Sequence, residues 1–388
     1  MRDLHLPHFS EAEYQHRYAL VNKWLTENDL TTLVIYANAY GGDGVRWLTG
    51  FKPRHDTYLI WPQHGEPTLL TQLFNHVPNA QRVAEIPDVR WGGAQSAPTV
   101  VEVLQEKGLT TGRIGLAGRV PYLDYEHLTD SLAIVSWVKA GKGYMDLRLV
   151  KSEEELVWLR QGAAHTDAAM QALAEAAKPG VTEHALSTAI EAAYTSAGGE
   201  HGIHFLSSTP MTAPQSYVPA QTQSSRPLMV GDVVISELSA GVGGYAGQIH
   251  RPLTVGAAPT AEYQRLYDVA LEAYQRIVAV LKPGATVAQV LDAADYIAAQ
   301  GLTVCDDLLH GYGMGYLAPV LRTRETAHSQ QASEDFVFQQ NMAVVVQPNV
   351  FDPATGAGLQ VGNLLLITET GTTSLQSHPM EFAVVGRE

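Results

Sequence analysis

The chain has 388 residues, a formal net charge of −15 and one cysteine; 45% of its residues are hydrophobic and 17% are charged. That length calls for two or more domains with ample chain to bury a core, and the acidic balance argues against nucleic acid or an anionic membrane as partner. A single cysteine excludes an intrachain disulfide, no run is long enough to span a bilayer, and the stretch from Met1 to Glu11 lacks the apolar core of a signal peptide. The expected compartment is the cytosol.

Residues 11 to 28 read as an amphipathic helix, Thr32 to Tyr36 as a buried strand, and Thr57 to Trp61 with Pro67 to Thr71 as a strand pair around the turn Gln63-His-Gly. These elements predict an α/β N-terminal domain over residues 1–147. The acidic turn Glu153-Glu-Glu then opens a long helix and a second domain, residues 148–388. Within it, Ala177-Lys-Pro-Gly-Val-Thr and a following helix ending near Ala197 are echoed by Leu281-Lys-Pro-Gly-Ala-Thr and a helix ending near Gly301. With the strands around Gly231 to Gly256, Met342 to Val346 and Leu364 to Thr368, the echo implies two related halves. Cys305, in Leu302-Thr-Val-Cys-Asp-Asp, reads as a small core or near-core residue.

The hairpin Gly231-Asp-Val-Val-Ile-Ser-Glu-Leu, continued by Gly244-Tyr-Ala-Gly-Gln-Ile-His-Arg251, resembles that of the pita-bread enzymes: methionine aminopeptidases, Xaa-Pro peptidases and creatinase. The resemblance covers essentially the whole chain and implies an α+β C-terminal pita-bread domain with two pseudo-symmetric halves. The family's five metal-ligand positions fall on Glu237, Gln248, Met314 (in His310-Gly-Tyr-Gly-Met), Gln347 (in Val346-Gln-Pro-Asn) and Gly362 (in Gln360-Val-Gly-Asn). Four of these cannot hold a cation in the family's manner. The resemblance therefore points to a branch without metal or other cofactor, like creatinase and ectoine hydrolase. Ser236-Glu-Leu-Ser-Ala-Gly241 is similar to the ectoine hydrolase segment, and Gln248-Ile-His250-Arg251 takes the place of creatinase's Ala-Leu-Glu-Arg. The family's Pro-His-Tyr-x-Pro appears as Pro214-Gln-Ser-Tyr-Val-Pro219, so that Ser216 or Gln215 replaces the histidine. His201 and His204 lack a third placed ligand and read as surface or hydrogen-bonding residues.

Hydrolysis without a metal needs a base on the water and a proton donor for the leaving nitrogen. Glu237, among apolar neighbours, is the expected base, with its pKa raised by desolvation. His250 and His310 are the expected acids, and Gln248 and Gln347 orient substrate through their amides. Tyr312, Ser216 and His204 are further substrate contacts. Similarity to creatinase dimers implies that Arg54, with His55, follows Trp47-Leu-Thr-Gly into the neighbouring subunit's pocket to hold a carboxylate, so a homodimer is expected. Against these roles stand a structural Glu237–Arg251 ion pair, His310 as a capped turn residue and Met314 as apolar packing. The resulting expectation is a metal-independent hydrolase of a C–N bond in a small polar molecule: a cyclic amide or amidine, or an amidino or N-acyl amino acid. An Xaa-Pro peptidase-like metallopeptidase with a rebuilt site, a lyase using Glu237 as base and a non-catalytic binding module stand as alternatives.

Overall fold

The structure is a computed structural model that describes residues 5–327 and 335–387; Met1 to Leu4, part of the stretch inspected for a signal peptide, lie outside them. The chain divides into two compact units, Met1–Arg148 and Leu149–Glu388.

In the first unit, helix α1 (Glu11–Glu27) begins where the Ser10 hydroxyl accepts from the Glu13 amide, a serine cap. There follow β1 (Thr32–Ala37), α2 (Asp43–Thr49), β2 (Thr57–Pro62), β3 (Thr68–Thr71), α3 (Val77–Val83) and β4 (Asp88–Trp91). The unit closes with α4 (Ser96–Glu106), β5 (Arg113–Ala117), α5 (Tyr122–Ser131), β6 (Ser136–Lys139) and α6 (Gly141–Asp146). The six strands form one mixed sheet in the order β4-β3-β2-β1-β5-β6. Strands β1 and β2 are buried at every position, as expected of a sheet covered on both faces.

The second unit opens with α7 (Glu153–Ala176), whose Ser152 and Glu155 form a reciprocal capping box, and α8 (Glu183–Thr195). Strands β7 (Glu200–Pro210), β8 (Asp232–Val242), β9 (Tyr245–Ala246) and β10 (Ile249–Val255) complete the first half. The second half repeats the plan with α9 (Ala261–Val280), α10 (Val287–Ala299), β11 (Leu309–Gly313), β12 (Gly315–Leu321) and β13 (Ala343–Val346). It ends with β14 (Asn349–Phe351), β15 (Gly358–Gln360), β16 (Gly362–Ile367), β17 (Thr372–Ser374) and β18 (Ala383–Val385).

The Lys-Pro-Gly-x-Thr echo is a structural equivalence. Gly180 and Gly284 both hold left-handed backbone, at φ +89° and +88°, where a side chain would be strained. Thr182 and Thr286 then cap α8 and α10 through their hydroxyls. The main sheet runs β12-β11-β13-β16-β10-β8-β7, and the halves meet at the antiparallel seam between β10 and β16. One hydrophobic core packs α9 and α10 behind the second half, and another packs α7 and α8 behind the first.

Candidate active site

The seam sets the site. Strand register places Phe205 opposite Glu237, Glu237 opposite His250, and His250 opposite Gly362. Residues directly opposite one another share a face, so this row projects to one side of the sheet. Gln248, just ahead of β10 and two residues before His250, turns its side chain to Glu237, and Gln347 enters just beyond β13, its backbone N–H donating to the Leu308 carbonyl. The face lines a cavity of about 370 Å³ bounded by Glu237, Gln248, Asp306, His310, Tyr316 and Gln347, with Ile203 and Phe205 as its apolar wall.

The Gln248 amide is the hub. Its Nε2 donates to Glu237 Oε1 at 2.6 Å, lies 3.3 Å from Gln347 Oε1 and stands 3.5 Å from His250 Nε2. The amide orientation follows from the network, because the reverse would set an oxygen against the Glu237 carboxylate. Gln248 Oε1 and His250 Nδ1, both buried, find no hydrogen-bond partner among the described residues. At Gly362 a Cβ would stand 2.5 Å from the Val346 carbonyl oxygen and 2.7 Å from His250 Nδ1. The imidazole thus occupies the space into which a ligand side chain at position 362 would project.

Several electrostatic expectations are corrected. Burial pushes the Glu237 carboxyl up, but His250 beside it, His310 and the Gln248 amide outweigh that effect and hold it below the usual glutamate range. The expected rise ignored the donors that the fold aims at the carboxylate. Burial pushes His310 down to about 4, so near neutral pH it is an uncharged ring. Its Nδ1 lies 3.0 Å from the Gly311 carbonyl oxygen, which fixes the proton there and leaves Nε2 as an acceptor. His310 lies on a strand, not in a turn, stacked on Tyr316 at 4.1 Å between ring centroids. The Glu237–Arg251 pair does not form. Arg251 instead bonds the carbonyls of His250, Gly362, His378 and Pro379 and the Asn363 side chain, locking the seam from behind.

Three other expected contacts, Ser216, Tyr312 and His204, lie elsewhere. Ser216 spends its hydroxyl on the Val218 carbonyl, and the Tyr312 hydroxyl meets Ser239 Oγ at 2.7 Å; neither lines the cavity. His204 alternates with Ile203 and Phe205 and so projects from the opposite face of β7, against Tyr194; burial and the adjacent His201 push its pKa down to about 4. Arg54 and His55 are exposed in the first unit, where His55 packs edge-on to His76. Met314 is buried, as packing requires. Cys305 is exposed and lines the cavity, not the core, because the loop before β11 runs along the rim.

Sequence reasoning missed Asp306. This acid lines the cavity, and burial and the nearby Glu237 charge push its carboxyl up. Its neighbour Asp307 is engaged by Arg322 and the Tyr316 hydroxyl. The signal was the acidic pair two residues ahead of the His310 strand, in a segment that drew notice only for its cysteine.

The second unit matches the model of metallopeptidase family M24 over residues 158–369, and residues 17–150 match the creatinase/prolidase N-terminal domain. The chain belongs to metallopeptidase family M24. Among its relatives, the Xaa-Pro dipeptidase of Pyrococcus furiosus is 24% identical over 355 residues, covering 91% of this chain and 95% of that protein. The probable dipeptidase PepE of Mycobacterium tuberculosis is 28% identical over 69% of this chain and 68% of its own length. The crystal structure of the prolidase from Pyrococcus horikoshii superposes with a TM-score of 0.78 at 21% identity, covering 95% of this chain and 99% of that one. This likeness shows the two-domain fold.

These M24 relatives overturn the expectation of a metal-independent hydrolase of a small non-peptide molecule, since they are named as peptidases. The likeness to creatinase and ectoine hydrolase rested on short stretches of one hairpin. The residues present still fail to fit the family's metal arrangement. Of the five positions that the resemblance assigns to ligands, Glu237, Gln248 and Gln347 line the cavity and Met314 does not; the Gln248 amide turns its NH2 group toward Glu237, and His250 fills the space over Gly362. Two side-chain amides beside a single carboxylate are a poor donor set for divalent Mn, Co or Zn.

Proposed function

We propose that this M24 chain hydrolyses the amide bond of short peptides, in the manner of an Xaa-Pro dipeptidase whose centre is rebuilt around Glu237. The observation that carries this reading is a pair of carboxyls lining one cavity, Glu237 and Asp306, with the first held below and the second above its ordinary range. Paired groups driven apart by their surroundings divide into base and acid. The ionised Glu237 takes a proton from water as the water oxygen bonds to the peptide carbonyl carbon. Asp306, whose carboxyl burial and the Glu237 charge push up, gives a proton to the nitrogen as the C–N bond breaks. Gln248 Oε1, without a hydrogen-bond partner among the described residues, accepts from a substrate N–H, and the neutral His310 holds a second polar atom. A volume of about 370 Å³ lies at the lower end of ordinary small-ligand sites and suits a substrate of two or three residues.

The same reading carries a homodimer in which the exposed Arg54 of one subunit meets the carboxylate of a peptide bound by the other. A single, exposed cysteine is compatible with a reducing compartment such as the cytosol. No helix among the described residues is long and apolar enough to cross a membrane.

Release of free amino acids from a panel of dipeptides, including Xaa-Pro, tests the proposal. Cleavage of at least one class, lost in Glu237→Gln, is expected. Failure to cleave any di- or tripeptide, with and without added Mn2+ or Co2+, would overturn it.

A further inference from the structure

On the face of β7 turned away from the cavity, Glu191, His201 and His204 gather three ligand atoms within 4.8 Å of one another. Residues three apart on a regular strand point to opposite faces. Here β7 carries a bulge: His201 pairs with Ala240 and Ile203 with Ser239, leaving Gly202 as the extra residue. The bulge turns His201 to the side of His204, the re-aiming that bulges provide. Glycine is required at its apex, since a Cβ there would stand 2.5 Å from the Ser239 carbonyl oxygen. The two rings accordingly meet, at 4.4 Å between centroids.

Helix α8 supplies the rest. Glu191 and Tyr194, three residues apart on one helix face, address the two nitrogens of His204: Tyr194 Oη lies 2.9 Å from Nε2, and Glu191 Oε1 lies 3.6 Å from Nδ1. The same oxygen lies 3.6 Å from His201 Nδ1. His204 is 95% buried by its 5% exposure, yet its Nδ1 has no hydrogen-bond partner among the described residues. A proton on Nε2, donated to Tyr194, leaves the Nδ1 lone pair facing Glu191 and His201, the outer-shell arrangement of metal-bound histidines.

We infer that Glu191, His201 and His204 form a binding site for one divalent transition cation of the zinc class, separate from the catalytic cavity. Ligand atoms about 2.1 Å from a tetrahedral zinc stand roughly 3.4 Å apart, close to the two 3.6 Å separations found here. Two imidazoles and one carboxylate match zinc's preference, and the exposed side leaves the fourth position to water. The bound ion would clamp α8 to β7, the strand whose other face carries Ile203 and Phe205 into the cavity.

Zinc titration of the chelator-stripped full chain by calorimetry tests the site, with cobalt substitution read by visible absorption. One ion per chain is expected, with the intense visible bands of a tetrahedral cobalt centre and a raised Tm. The exposed ligand variants His201→Ala and Glu191→Gln, chosen because a change at buried His204 risks the fold, should each weaken zinc by at least about tenfold, and Tyr194→Phe by about tenfold. Glu237→Gln should bind zinc like the parent. No stoichiometric binding, or binding untouched by both ligand variants, would overturn the site, as would loss of the ion in Glu237→Gln, which would place it in the cavity.

Discussion

His250 and Gly362 face each other across the seam so closely that one methyl group at position 362 would stand 2.7 Å from the imidazole Nδ1. Gly362→Ala must also displace the Val346 carbonyl, 2.5 Å from the same point. A stability loss of about 1–3 kcal/mol is expected in urea denaturation, as for other overpacked sites. Turnover should fall in the same variant because His250 is driven toward Glu237.

Glu237→Gln preserves shape but cannot take a proton. Turnover of a cleaved dipeptide should drop by about a hundredfold or more, with KM little changed, the signature of an interaction made in the transition state. Steady-state kinetics on the purified variant check this, and unaltered turnover would remove Glu237 from the base role.

The rate should follow a bell in pH displaced to the acid side. Its rising limb, from Glu237, lies below the range of a free glutamate, and its falling limb, from Asp306, lies above that of a free aspartate. Asp306→Asn should lower the maximum and abolish the falling limb. A variant that retains the limb assigns it to another group.

Stability should also decline in acid. His310 is held neutral in the folded state to about pH 4 but protonates near 6.5 when unfolded, so the unfolded chain binds more protons between those values. The stabilisation is complete above about pH 6.5 and is lost progressively as pH falls toward 4. Thermal melts across this window should show a shallower decline for His310→Gln than for the parent.

If Arg54 serves the neighbouring pocket, mixing Arg54→Ala with Glu237→Gln chains should restore up to about a quarter of parental activity under random exchange, since half the mixed dimers' sites are intact. A demonstrated mixed dimer without recovery would show that each chain supplies its own contacts.

The fold was legible because it repeats itself. Two Lys-Pro-Gly-x-Thr turns, each with a left-handed glycine and a threonine cap, announce paired halves. The residues at the centre were legible too, since Glu237, Gln248, Gln347 and His310 all reach the cavity. Their charge states were not: whether Glu237 titrates high or low depends on cross-strand neighbours that register alone brings near. His201 and His204 lacked a third partner in the sequence because Glu191 lies on the preceding helix, and only the bulge at Gly202 turns both rings to one side.

The seam between β10 and β16 has a consequence for how the chain could be divided. Glu237 and Gln248 come from one half, Asp306, His310 and Gln347 from the other, and the loop between Val255 and Ala261 is the sole covalent joint between them. Neither fragment of a chain cleaved in that loop holds the whole lining of the cavity. Activity from co-expressed fragments would therefore count native pairing of the two pieces, making the enzyme a reporter of its own assembly.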